Sequence, residues 1–199
     1  ILMKILKNKY FIIFLCIIGF LIAVYLCFVF ISDLESRIKA IISIVSAYVV
    51  SGSLVLNAYS IFEKTRADKF NLTMQLLSKW DEKHFIEARD YTREQQNIKY
   101  EKGDEEILKK IKDKNNPELE RSIIMMMNYF EILQTFFENN KIDENIIMEH
   151  FAHMIKNIIG RYDCYLNSDD FKKNNPLGLK KLMALKNRCD IYIQKHNSY

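Results

Sequence analysis

The densest group of metal-type side chains in the sequence is Glu149, His150 and His153. On a helix their i,i+3 and i,i+4 spacing would turn them toward one ion. The Glu-x-x-His spacing of di-iron bundles is absent, however, and no second cluster exists to complete a coordination sphere. A metal-dependent enzyme is therefore the weakest reading, and no metal or cofactor is expected. His84 and His196 are isolated, and no Ser or Cys stands in a nucleophile setting such as Gly-x-Ser-x-Gly. A Gly-rich phosphate loop is also missing, which disfavours hydrolases and nucleotidases. The Met125, Met126, Met127 run has soft-metal chemistry, but three consecutive residues point in different directions on a helix, so core packing is expected of them. Cys16, Cys27, Cys164 and Cys189 lack both zinc-site spacing and the density of a disulfide scaffold, and read as free thiols. No catalytic residue is assigned, and the chain is not expected to be an enzyme.

Glu131 poses a different question. It lies in a segment that is apolar almost all round, where a carboxylate needs Arg121, Arg161 or a helix N-terminus to stay ionised. It is either a buried polar tie or part of a ligand or proton site, which makes Glu131, Arg121 and Arg161 the ligand-binding candidates.

The elements that must position these residues are helices. The chain has 199 residues, 49% hydrophobic and 27% charged, with 5 Gly and 2 Pro, a composition short of turn formers. The expected class is all-α: a two-helix transmembrane hairpin followed by a cytoplasmic helical bundle. Met3 is expected to be the natural start, with Ile1 and Leu2 outside it.

Residues 10–32 carry no charge, and at about 1.5 Å per residue such a run covers a hydrocarbon core of about 30 Å. A cleaved signal peptide is disfavoured, because the run exceeds a usual h-region and no small-x-small site precedes Asp33. A second uncharged run, 40–62, is more polar. Its Ser43, Ser46, Ser53, Asn57 and Ser60 fall on helical spacing and form one seam, expected to serve helix packing, with a pore built by several copies as the sharper alternative. Cys16, Gly19, Ala23 and Cys27 make a small-residue seam on the first run. Lys4, Lys7 and Lys9 before the first span, Arg37 and Lys39 in the connection, and Lys64, Arg66 and Lys69 after the second set the orientation. The reading is a two-pass protein of a bacterial inner membrane with both termini cytoplasmic.

Residues 1–62 thus form the tail and spans, and 63–199 the cytoplasmic domain. The net charge is +4, but much of the excess flanks the membrane and the domain's charges are interleaved, so a nucleic-acid surface is not expected. Between Gly52 and Gly103 there is neither Gly nor Pro, so the second span is expected to run on as a stiff stalk with Ala67, Phe70, Met74 and Leu77 on its apolar face. Asp81 is expected to cap a helix reaching about Gln96. Residues 102–114 read as a solvated connector with Glu105–Lys109 and Glu106–Lys110 pairs. Asn116 and Pro117 open a central helix to about Asn139. Asp143 and Glu144 open another, with Ile147, Phe151, Met154, Ile155, Ile158 and Tyr162 inward. Asn175 and Pro176 open the last, with Leu179, Leu182, Leu185, Cys189 and Ile193 inward. The domain is expected to be a bundle of four or five helices.

Asn128, Tyr129, Phe130 and Glu131, then Lys141, Ile142, Asp143 and Glu144, preceded by a membrane helix and a helix containing Trp80, give the chain a resemblance to the bacterial family catalogued as domain of unknown function 4760. The resemblance covers about residues 55–195 and implies a membrane anchor followed by a cytoplasmic helical domain, with no established activity.

Functionally, this points to a non-enzymatic signalling or effector protein. Its helical domain senses a partner or a ligand of unknown chemistry and acts through the membrane helices, in stress or phage defence. Its expected partners are the lipid bilayer and further copies of itself or another membrane protein. A passive membrane-tethered interaction scaffold is the alternative.

Overall fold

A computed structural model describes residues 9–94 and 103–196, the side chains of residues 9–13 and 15 excepted. These residues are helical, with no strand among them, and divide into two units at Thr65 and Arg66.

The first unit holds α1 (Lys9–Phe30) and the start of α2 (Leu34–Trp80). The break between them is fixed by Asp33, whose carboxylate accepts from the Ser36 backbone N–H at 2.8 Å. Arg37 closes it from the other side by donating to the Ile31 carbonyl and lying over the Phe28 ring. The two helices touch where Phe20 meets Tyr48 edge-on, ring centroids 5.3 Å apart. Among the described residues one helix, α2, is long and apolar enough to cross a membrane, with a mean hydropathy of 1.9 over its best 18-residue window and none of that window buried. The described apolar part of α1, Cys16–Phe30, falls short of that length. The two expected spans are therefore met here by one candidate span near the N-terminus.

The second unit begins inside α2. From Arg66 onward this helix turns Thr73, Leu76 and Trp80 inward, whereas Phe70 and Met74 remain about half exposed at 50% and 45%. The expected apolar stripe is thus rotated to its neighbour. The reason lies in hydrogen bonding: the Thr73 hydroxyl donates to the Lys69 carbonyl (2.7 Å) and accepts from the Asp143 N–H (2.8 Å), so a polar residue fits the inner face better than Phe70 does. Leu76 follows suit, its carbonyl accepting from the Tyr129 hydroxyl at 2.6 Å. At the end of α2, Trp80 packs among Phe85, Tyr129, Phe130 and Phe151, with the Arg89 guanidinium over its ring at 5.0 Å.

The helix α3 (Lys83–Glu94) starts one residue later than expected, because Asp81 and Glu82 form the turn and the Glu82 carbonyl accepts from Phe85 and Ile86. Asp81 instead pairs with Arg89 at 3.6 Å. The expected end near Gln96 lies outside the described residues. The segment read as a solvated connector contains α4 (Asp104–Ile111), and two of its residues, Ile107 and Ile111, are fully buried. Their i,i+4 spacing among charges gives α4 one narrow apolar stripe. Lys109 reaches Glu106, one turn back, at 2.8 Å, rather than Glu105.

The central helix α5 (Glu118–Glu138) packs against α3, α6 (Glu144–Arg161) and α9 (Pro176–His196). Ile123, Met126, Met127, Phe130, Leu133 and Phe137 are buried along its length. It ends on Asn140, whose φ of 51° is left-handed, with Lys141 N–H returning to the Phe136 carbonyl in a Schellman closure. Asp143 then caps α6, its carboxylate accepting from the Asn145 and Ile146 N–H groups. Two short helices, α7 (Asp163–Leu166) and α8 (Asp169–Asn174), lead to α9. On α9, Leu182, Leu185, Cys189 and Ile193 are buried against α5 and α6.

Candidate functional site

Glu131 meets a helix N-terminus, one of the partners its setting demanded. Asn175 precedes Pro176 at the start of α9 and acts at both ends of its amide: its oxygen accepts from the Gly178 N–H at 3.0 Å, and its nitrogen donates to the Glu131 carboxylate at 2.9 Å. Gly178 is buried, and a Cβ there would collide with both the Asn175 amide and the Glu131 carboxylate. The absent side chain lets the carboxylate approach the positive end of α9. Glu131 thus ties α5 to α9. Arg121 sits ten residues earlier on α5, about 15 Å along the axis, and is exposed; Arg161 is half-buried at the end of α6, beside Tyr162. The three candidate ligand-binding residues therefore do not converge on one site.

Arg121 belongs to a different feature. A groove of about 430 Å³ opens between the end of α2, the start of α3 and the outer face of α5. Phe85, Ile124, Met125, Tyr129 and Ile132 form its apolar lining, while Lys79, His84 and Arg121 supply its basic groups and Asn128 an amide. A second lobe of about 410 Å³ continues past His84, Arg121 and Met125 toward Tyr91, Glu87 and Glu118. No carboxylate lines the first lobe. His84 lies 3.5 Å from Glu82. Burial pushes the Tyr129 hydroxyl well above its ordinary pKa, with Asp81 adding to the effect, so it stays a neutral donor to Leu76 and contributes its ring to the groove. Sequence spacing could not assemble this groove, because its residues come from three helices. The available signal was the half-apolar outer stripe Ile124, Asn128, Ile132 on α5.

Glu149, His150 and His153 are all exposed on α6, and the His150 ring lies against the Ile146 carbonyl. No group of three or more metal-type side chains converges among the described residues. Cys189 is buried with its sulfur 3.8 Å from that of Met148, and burial raises its pKa to about 12. In the first unit, Gly19, Ala23 and Cys27 of the small-residue seam are partly covered, and a Cβ at Gly19 would come within 2.8 Å of the Tyr48 hydroxyl. Cys16 is exposed. On the first-unit part of α2 the partly covered positions are Arg37, Ala40, Ile41, Ile44, Tyr48 and Gly52, whereas Ser43, Ser46, Ser53, Asn57 and Ser60 are exposed. The polar seam is thus turned away from α1, and Ser53 satisfies its hydroxyl on the Val49 carbonyl at 2.8 Å.

Compared with known proteins, residues 47–189 match the family model described as domain of unknown function (DUF4760). No curated protein and no solved structure matches the chain.

Proposed function

Because the chain belongs to the family of the domain of unknown function DUF4760, whose description names no activity, we propose a role from its own build. It is a membrane-anchored, non-enzymatic signalling or effector protein whose helical domain binds a partner or ligand and acts through the membrane helices. The observation that carries this reading is α2, a single helix from Leu34 to Trp80 whose uncharged residues 40–62 are mostly exposed and whose end sets Trp80 in the aromatic cluster of the bundle. A change in the bundle that moves Trp80 acts on the same helix that enters the bilayer. In this proposal α1 is the other span: its 22 residues extend about 33 Å, enough for the hydrocarbon core. The flanking Lys and Arg then place both termini in the cytoplasm. The outward polar seam, in particular Ser43, Ser46 and Asn57, suits hydrogen bonding to a second copy or another membrane protein. The setting we assign is a bacterial inner membrane under stress or phage attack.

The test compares membrane potential and growth in bacteria expressing the full chain, residues 63–199 alone, and the same domain on an unrelated anchor. Depolarisation with the native anchor alone is expected. Equal activity from the swapped anchor would overturn the effector reading in favour of a passive scaffold. Lys64→Pro, inside α2, removes a helical hydrogen bond at a cost of about 3 kcal/mol and is expected to abolish depolarisation while Trp80 fluorescence stays native. Unchanged depolarisation would refute transmission along α2.

A further inference from the structure

The groove between α2, α3 and α5 combines an apolar lining with basic side chains. Its lining is mostly apolar, with Ile124 and Ile132 of α5 38% and 45% exposed, so hydrocarbon is left facing water on the central helix of the bundle. Around this surface stand Lys79 and Arg121, and neither side chain has an ion-pair partner among the described residues. Several other basic side chains of the second unit are paired with acids: Arg89 with Asp81, Lys112 with Asp170, Lys156 with Asp190, Arg188 with Glu144. Lys79 and Arg121 thus line the first lobe with no carboxylate among its lining residues, and its volume of about 430 Å³ lies in the range of small-ligand sites.

We propose that this groove binds an anionic amphiphile, a molecule with one carboxylate or phosphate group and an apolar body. The anion is held by Arg121 and Lys79, which offer charge-assisted hydrogen bonds to either head group, and Asn128 adds an amide. The apolar body covers Phe85, Ile124, Met125 and Ile132, and its burial supplies the larger share of the affinity. Two carboxylates, Glu87 and Glu118, line the second lobe, so the anion is confined to the Lys79 end. This inference deepens the ligand-binding half of the proposed function and rests on it only for its biological meaning.

The protein carries its own reporter. Trp80 is the single tryptophan and packs at a tilt against two groove residues, Phe85 and Tyr129, at centroid distances of 5.3 and 5.1 Å. The full chain in nanodiscs of zwitterionic lipid is titrated with octyl phosphate and with octanoate, the two arms separating a phosphate source from a carboxylate source. Octyltrimethylammonium, octanol and inorganic phosphate serve as controls. A saturable change in Trp80 emission is expected with at least one of the two anions, at least tenfold weaker in the Arg121→Gln, Lys79→Gln double variant, whose altered side chains are on the surface. Ile132→Asp, which puts a charge on the apolar lining, is expected to weaken it to a similar degree. Equal responses to the cationic amphiphile or octanol, or equal responses from the parent and the double variant, would overturn the proposal. Inorganic phosphate matching octyl phosphate would overturn the requirement for an apolar body. Because the titration needs no membrane activity, its failure leaves the effector reading standing, and loss of depolarisation with intact binding breaks that reading alone.

Discussion

Replacing Gly178 by alanine tests whether the approach of Glu131 to α9 stabilises the bundle. In an ordinary helix the change would favour folding by about 0.8–1 kcal/mol, the propensity difference between the two residues. Here the new Cβ occupies the space of the Asn175 amide and the Glu131 carboxylate. The 2.9 Å hydrogen bond between them involves a charged acceptor and is worth about 1.5–3 kcal/mol, and displacing Asn175 from its cap costs about 1 kcal/mol more. The balance is a net destabilisation of about 1.5–3 kcal/mol. For a unit of this size each kcal/mol lowers Tm by about 3–5 °C. Thermal unfolding of the full chain in detergent, followed by Trp80 emission, isolates the second unit because the only tryptophan lies in its core. In a Glu131→Ala background the same glycine replacement is expected to cost about 1.5–3 kcal/mol less, since the hydrogen bond it would break is already gone. A Gly178→Ala protein as stable as the parent, or a penalty unchanged by Glu131→Ala, would refute the argument that this glycine exists to admit the carboxylate.

Thr73→Val leaves the Asp143 N–H without its partner and is expected to destabilise the second unit by about 1–3 kcal/mol; Thr65→Val, whose hydroxyl bonds only to the Ile61 carbonyl on an exposed turn, serves as the control and should change little in the same melt. Asn140 holds a φ of 51° and accepts from Lys69 at 2.7 Å, so Asn140→Ala should cost about 1 kcal/mol and Asn140→Gly less than half of that, because glycine keeps the left-handed closure; equal losses would assign the effect to Lys69 alone. The Cys189 thiol, raised to about 12 by burial, should resist iodoacetamide at pH 8 in the folded protein and react on unfolding, read by peptide mass spectrometry. Its proton is held more tightly when folded, so the associated stability is intact below the ordinary thiol pKa of 9.0 and declines as pH rises from there toward 12. Rapid native-state alkylation would contradict the buried placement.

The helix starts of the bundle are legible because each is written by a local chemical device: Pro117 before α5, the Asp143 carboxylate before α6, Asn175 with Pro176 before α9. Ser168, whose hydroxyl caps α8, carried the same signal for a helix the sequence reading passed over. The face of α2 was misjudged because Phe70 and Met74 are more hydrophobic than Thr73, yet only Thr73 satisfies a partner's N–H seventy residues away. Periodicity ranks stripes by apolarity and carries no information about distant donors. Ile107 and Ile111 were overlooked for a related reason: two isoleucines among many charges look like a solvated turn until a core exists to receive them. Glu131 was marked as needing a partner, and a helix N-terminus was named among the possibilities. Its meeting with Asn175 and Gly178 depends on the packing of α5 against α9, which local sequence does not encode. Arg121 was paired in expectation with Glu131 on chemical type, but ten residues of helix hold them apart.

The position of Trp80 has a consequence for how the protein is made. Trp80 is translated long before its partners Tyr129, Phe130 and Phe151, the last of them roughly seventy residues later, which at about 5–20 residues per second is about 4–14 s. During that interval the apolar start of α2 has already left the ribosome, while the bundle end of the same helix has no core to enter. Leu76 and Trp80 therefore stay uncovered until the helices that carry their partners, α5 and α6, have been made.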